Sequence, residues 1–439
     1  MMQKINIHWF RRDLRLQDNA ALYHALKSSK PVLCVFIFDK TILDKLENKY
    51  DKRVDFIHQT IIQLKKELEE KGSSLLIKYN TAEGAWKEIT DEYDIAKVFT
   101  NHDYEPAAIE REKSIETLLK TKNIAFHTYK DQVIFEKDEV VKDDGTPYTV
   151  FTPYSKKWKA CFDFAQHSNF YTISYPNEKY DTNYYHITPL KNIILSEIGF
   201  EKTDMIVPPK SVTSGLIKNY ADTRDIPSIL GTSRLGIHLR FGTISIREKV
   251  AKALTLSETF LNELIWREFY MQILYHFPHV VKNSFREKYN NIKWINNEEQ
   301  FARWCKGQTG YPIVDAGMRE LNAIGYMHNR VRMITASFLT KHLLIDWRWG
   351  EWYFAQKLLD YELASNNGGW QWAAGCGTDA APYFRIFNPY LQTEKFDKDN
   401  IYIKKWVPEY LSDEYPKPIV EHDFARKRCL EVYKKGIGN

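Results

Sequence analysis

Lys4-Ile5-Asn6-Ile7-His8-Trp9-Phe10 is a short apolar run that ends in the turn Phe10-Arg11-Arg12-Asp13-Leu14-Arg15-Leu16. Further runs of the same kind follow at Pro31 to Phe38, Ser74 to Tyr79, Ala96 to Thr100 and Ala125 to Tyr129. Between them, Asn19 to Ser28, Lys52 to Lys71 and Pro106 to Thr121 carry helical periodicity. Strand and helix in alternation predict a parallel sheet covered by helices, a Rossmann-like α/β domain over residues 1–135. The turn after the first strand has no glycine to let backbone approach a pyrophosphate, so the dinucleotide fingerprint of such domains is missing.

Beyond this domain the pattern changes twice. From residue 136 to 211 periodicity weakens and turn residues gather, as in Lys142-Asp143-Asp144-Gly145-Thr146-Pro147 and Val207-Pro208-Pro209-Lys210, which reads as a long interdomain linker. From 212 to 439 strand alternation gives way to amphipathic helical patterns, among them Ser257 to Phe277, Gly310 to Ile324, Met327 to Leu344 and Gly350 to Ala364. An all-α second domain is expected.

The 439 residues are 44% hydrophobic and 27% charged, the balance of an ordinary globular protein. No apolar run reaches the ~18 residues that span a bilayer, and the first residues lack a signal-peptide pattern, so a cytoplasmic location is expected. Five separated cysteines without a CxxC argue against a disulfide framework or a zinc ribbon. Basic residues exceed acidic ones by 62 − 57 = 5, which permits a polyanionic partner without requiring one. Aromatic residues make up 14%, and eight of the twelve tryptophans lie between Trp266 and Trp372, so the second half uses rings for more than packing.

Three constellations stand out there. Tyr220, Arg224 and the run Gly231-Thr232-Ser233-Arg234-Leu235 precede a helical pattern, where free N–H groups, hydroxyls and a guanidinium suit a phosphate or diphosphate; an ordinary hydroxyl N-cap has the same appearance. In Glu263-Leu264-Ile265-Trp266-Arg267-Glu268-Phe269-Tyr270, helical spacing puts Glu263, Trp266 and Tyr270 on one face, a carboxylate beside two rings; an aromatic core stripe reads alike. Last come Met327-His328-Asn329-Arg330-Val331-Arg332-Met333 and Asp360 to Trp372. There Asn366-Asn367-Gly368-Gly369 is expected to interrupt a helix, and Trp370 and Trp372 are set to face nearly opposite sides. Neither a metal site nor a serine-nucleophile elbow emerges, which disfavours hydrolytic chemistry.

With Asn262 to Tyr270, Lys306 to Ala316, Met327 to Phe338 and Ala380 to Pro389, the chain resembles the photolyase/cryptochrome family, most like its bacterial class I cyclobutane pyrimidine dimer photolyases. The resemblance implies an α/β domain joined by a long loop to an all-helical domain that holds FAD. It implies that Tyr220, Thr232, Ser233, Arg234, Leu235, Arg332, Asp360 and Glu362 bind FAD, with Asp360 paired to Arg332 and Asn366 at the flavin N5. Glu263, Trp266, Asn329, Arg330, Met333 and Trp372 would form the lesion pocket, with Arg267 and Tyr270 beside it and Arg224, Arg330 and Arg385 on phosphates. Trp370, Trp347 and Trp294 match the family's electron-transfer chain.

The activity so implied is light-driven: excited FADH⁻ gives an electron to a flipped-out dimer, the cyclobutane bonds split, and the electron returns. The implied partner is UV-damaged DNA, with no membrane and no metal, and the protein is expected to be a monomer. Glu362 stands where the family often has a second aspartate, and Phe260 where some relatives have tryptophan. Asn101 to Ala108 lacks the Asn-Glu pair of some folate binders, which leaves an antenna open between methenyltetrahydrofolate, a deazaflavin, another flavin or none. A cryptochrome-like photosensor and a (6-4) photolyase are the alternatives; Asn366 favours repair over signalling.

Overall fold

The computed structural model describes residues 3–167 and 174–438, with only the backbone described over 164–167. The chain separates into two compact units. One comprises residues up to 136 together with 160–211 and 235–255; the other comprises 137–159, 212–234 and the chain from 256 onward. This differs from a single linker over 136–211, since that segment is shared between the units and contains an α-helix, Phe151–His167. The apolar spacing of that helix was masked by the turn-rich sequence before it.

The first unit is built on five parallel strands, β1 (Ile5–Phe10), β2 (Val32–Asp39), β3 (Leu75–Asn80), β4 (Ile95–Asn101) and β5 (Ala125–Tyr129). Their order is β3-β2-β1-β4-β5, with Ile7 beside Leu33 on one side and Val98 on the other. All six residues of β1 are buried, as a central strand covered on both faces requires. Helices Ala20–Leu26, Lys52–Glu69 and Pro106–Thr121 occupy the expected places. Another, Ala82–Glu92, fills a gap in the alternation and buries Ala85, Trp86 and Ile89. At the switch point between β1 and β4, where such sheets commonly hold ligands, Arg11 pairs with Glu112 at 2.6 Å and Arg12 with Asp103 and Glu105 at 3.0 Å. Arginine–carboxylate pairs thus stand where a glycine-rich turn would have left room.

The second unit is helical. Its site-bearing helices are α1 (Glu258–His276), α2 (Pro312–Ile324), α3 (Asn329–Ser337), α4 (Trp347–Lys357) and α5 (Leu363–Ala374). Side chains fix where three of them start: Ser257 caps α1, His328 caps α3 and Asp346 caps α4, each accepting a backbone N–H of the first turn. Trp304, Tyr311, Met318, Leu339, Trp347, Phe354 and Trp370 belong to the shared core. Burying a side chain such as Phe354 contributes about 1.5–3 kcal/mol.

Three sequence expectations are corrected. The single helix expected over Gly350 to Ala364 is two, because the chain leaves α4 at Leu358, and the Leu359 N–H bonds to the Gly325 carbonyl at 2.9 Å before α5 begins. Likewise Asn366-Asn367-Gly368-Gly369 does not interrupt a helix but lies inside α5. Packing overrides propensity there: the Asn367 amide donates to the Val280 carbonyl at 3.0 Å, and a Cβ on Gly368 would stand 2.2 Å from the Tyr270 ring. Helix Met327 to Leu344 is also shorter than expected, passing from α3 into one turn of π-helix at Phe338–His342.

Candidate active site

Helices α1, α3, α4 and α5 enclose a cavity of about 390 Å³. From α1 come Glu263, Trp266, Arg267 and Tyr270, on the face that their spacing predicted. From α3 come Asn329, Arg332 and Met333, and the α4–α5 connection contributes Asp360 and Glu362. Asn366, Trp370 and Trp372 enter from α5, and Arg224 completes the wall. The cavity therefore gathers residues more than a hundred positions apart.

One part of the wall is aromatic and acidic. Trp266 lies 5.5 Å from the Tyr270 ring and is stacked on Phe151 at 3.8 Å with planes 5° apart. Sequence reasoning missed Phe151 because it lies in the stretch read as linker. Glu263 accepts a short hydrogen bond from Arg224. Burial pushes the Glu263 carboxyl above its usual pKa, and the Arg224 charge only partly offsets this.

The other part is polar. Arg332 donates to both oxygens of Asp360 at 3.0 and 2.9 Å and, through Nε, to the Met327 carbonyl at 2.7 Å. Burial alone would lower the pKa of Arg332, but the Asp360 carboxylate, with smaller help from Tyr326 and Glu320, offsets this and raises it. Arg267 donates to Glu362 at 3.1 Å. Asn366 turns its Nδ2 to Glu351, and Trp370 Nε1, which is buried, has no hydrogen-bond partner among the described residues. The donors, acceptors and rings facing this space suit a planar, polar, aromatic ligand such as an isoalloxazine.

The remaining expected residues lie outside the cavity wall. Tyr220 is buried edge-on to Phe260 at 5.1 Å. The Thr232 hydroxyl is 3.2 Å from that of Tyr326, and the Arg234 guanidinium lies 4.5 Å from the centre of the Tyr326 ring. Ser233 belongs to the same unit, whereas Leu235 belongs to the sheet unit, where it precedes the five-residue helix Gly236–Arg240 without a side-chain cap. Arg330 pairs with Asp225 at 2.8 Å and lies over Phe396, while Arg385 is exposed beside Phe387.

Of the three tryptophans read as an electron path, Trp370 and Trp347 are buried and Trp294 is half-buried, edge-on to Tyr433 at 5.9 Å. The Trp370 ring packs at 4.9 Å from Phe354, 6.0 Å from Trp304 and directly against Gly350. Sequence reasoning also passed over Tyr326 and Glu351. For Glu351 a signal existed, a lone acid one helical turn after Trp347 in an aromatic run.

Comparisons with known proteins bear on both units. Residues 6–172 match the model of a DNA photolyase domain, and residues 260–413 match that of the FAD binding domain of DNA photolyase. The deoxyribodipyrimidine photo-lyase of Alkalihalophilus pseudofirmus is 37% identical over 97% of each chain. The crystal structure of a class III photolyase from Agrobacterium tumefaciens superposes with a TM-score of 0.86 at 31% identity, covering 100% of this chain and 99% of that one. An archaeal photolyase from Sulfolobus tokodaii, described with two FAD molecules that imply a novel light-harvesting cofactor, matches with a TM-score of 0.82 at 33% identity over 98% and 100%.

Proposed function

The chain belongs to the photolyase/cryptochrome family, and from that premise we propose that it is a deoxyribodipyrimidine photo-lyase, repairing cyclobutane pyrimidine dimers in DNA under light. One observation carries the reading: a single cavity within the FAD-binding region joins the Glu263, Trp266 and Trp372 wall to the Asp360–Arg332 and Asn366 wall. Bound in reduced form, FAD supplies an electron to the dimer on excitation and recovers it after the ring has split.

The chain's own residues do the rest. Trp266, backed by Phe151, and Trp372 offer faces on which the extruded bases stack. A dimer pairs and stacks poorly in the duplex, so extruding it costs less than extruding normal bases. Glu263 accepts from a base-edge N–H. Asn329 and Met333 line the same pocket.

Arg224, Arg330 and Arg385 position the backbone through phosphates, a contribution that weakens with salt. Asp360, held by two hydrogen bonds from Arg332, fixes an acceptor toward the cofactor, and Arg267 does the same for Glu362. Tyr220, Thr232, Ser233, Arg234 and Leu235 are assigned to the remainder of FAD. Trp370, Trp347 and Trp294 conduct electrons from the surface that keep the cofactor reduced.

Any antenna is assigned to the sheet unit, and the absorption spectrum of the purified protein distinguishes methenyltetrahydrofolate, a deazaflavin, a second flavin and none. No helix among the described residues is long and apolar enough to cross a membrane, and we assign the protein to the cytoplasm as a monomer.

The test is repair of a thymine-dimer oligonucleotide by the reduced protein under near-UV or blue light, with a dark control. Return of intact thymines only in the light is the expected result. FAD bound and reduced without repair would refute the reading in favour of a photosensor or of (6-4) lesions.

A further inference from the structure

Asn366 reaches the cavity from the first turn of α5. An asparagine amide offers two opposite chemistries, an acceptor oxygen and a nitrogen with two hydrogens. Its neighbour on the other side decides which one the cavity meets. Asn366 Nδ2 lies 3.1 Å from the main-chain oxygen of Glu351 and 3.0 Å from that residue's Oε1. A carbonyl oxygen has no hydrogen to give, so only the nitrogen can face it; a flipped amide would set acceptor against acceptor. Both hydrogens of Nδ2 are thereby used on one residue, and Oδ1 is the atom left for the cavity.

Glu351 lies in the interior of α4, within the run Trp347-Arg348-Trp349-Gly350-Glu351-Trp352. Among the described residues no lysine, arginine or histidine pairs with it. Burial pushes its carboxyl pKa up, and the hydrogen bond from Asn366 pulls it back. An acid in such a place costs stability unless its hydrogen bond is used.

We propose that Glu351 is a positioning residue of the cofactor site, which locks the Asn366 amide with its oxygen toward the cavity and so favours the flavin that carries hydrogen on N5. The proposal rests on reading the cavity as the FAD site with Asn366 beside the flavin N5, as the family resemblance implies. Reduced flavin presents an N5–H donor, whereas the oxidised ring presents a bare N5 acceptor. An amide oxygen stabilises the first, and an amide N–H stabilises the second.

The experiment is a dark redox titration of the holoprotein against reference dyes, comparing wild type, E351M, E351Q, N366A and E351M/N366A. E351M keeps the main-chain acceptor but removes the carboxylate that holds the second Nδ2 hydrogen, so it is expected to keep its FAD-to-protein ratio while its reduced-to-oxidised ratio at a fixed potential falls about threefold or more, the scale of one hydrogen bond. E351Q keeps an acceptor oxygen for Nδ2 and stays at the wild-type value. The double variant falls no further than N366A, because Glu351 acts through that amide.

A wild-type equilibrium in E351M, or effects of E351M and N366A that add in full, would overturn the proposal while leaving the photolyase reading intact. If E351M loses FAD, E351D serves instead, since its shorter arm withdraws the acceptor; a wild-type equilibrium there overturns the proposal equally. A wild-type chain that binds no FAD overturns both readings.

Discussion

Adding one methyl group at Gly368 tests whether α5 is seated on α1 as described. A Cβ there would lie 2.2 and 2.3 Å from Cδ1 and Cε1 of Tyr270, and nothing at that distance is the far end of a flexible side chain. Tyr270 is itself packed against Trp266 and Phe269, at 5.5 and 5.8 Å. The ring must therefore move into its neighbours or the helix must lift. Overpacking of this kind costs about 1–3 kcal/mol, while replacing glycine in a helix interior returns up to about 1 kcal/mol.

Gly368→Ala should therefore lose on the order of 1–2 kcal/mol. The adjacent residue provides the control, since a Cβ on Gly369 meets nothing within 4 Å. Gly369→Ala should gain about 0.5–1 kcal/mol from helix propensity alone. The assay is urea unfolding of FAD-free protein, with unchanged denaturant slopes and midpoints that move in opposite directions. If the two variants shift with the same sign, α5 does not approach Tyr270 as described, and the cavity wall is drawn wrongly.

Gly350→Ala should displace Trp370, whose Cη2 would lie 2.1 Å from the new Cβ, and so slow flavin photoreduction; Trp370→Phe should slow it too while repair by chemically reduced enzyme stays nearly intact. Photoreduction at the wild-type rate in both would remove Trp370 from the electron path. Asp360→Asn leaves the half-buried Arg332 without its counter-charge and should weaken FAD retention by about 1–3 kcal/mol, read from the FAD dissociation constant; unchanged retention would separate this pair from the cofactor. Burial holds the His328 pKa at about 4 and that of His342 at about 3, against 6.5 when unfolded. Below pH 6.5 the unfolded chain therefore binds more protons, so stability is complete above that pH and falls as it drops toward 4. His328→Asn, which keeps an acceptor for the Arg330 N–H, should flatten this loss in acid unfolding curves, and an unchanged slope would refute the assignment.

Local pattern was enough for most of the sheet unit. β5 and helix Pro106–Thr121 coincide with their sequence readings, and the other strands differ by one residue at one or both ends, because a buried parallel strand and an amphipathic helix each declare a period within a few residues. The Glu263, Trp266 and Tyr270 face was legible for the same reason, since three residues on one helix share a side by geometry alone.

What the sequence by itself determined was the set of elements, the face that α1 turns to a ligand, and the motifs that identify the family. Only the tertiary structure decided that Asn366 to Gly369 stay helical, because what holds them is the Tyr270 ring and the Val280 carbonyl, about ninety residues away in the chain. It likewise decided that Phe151 backs Trp266, that the chain breaks between α4 and α5, and which end of the Asn366 amide faces the cavity. Contacts of that range leave no periodic trace in sequence. They depend on which surfaces meet, and that is fixed only when the helices pack.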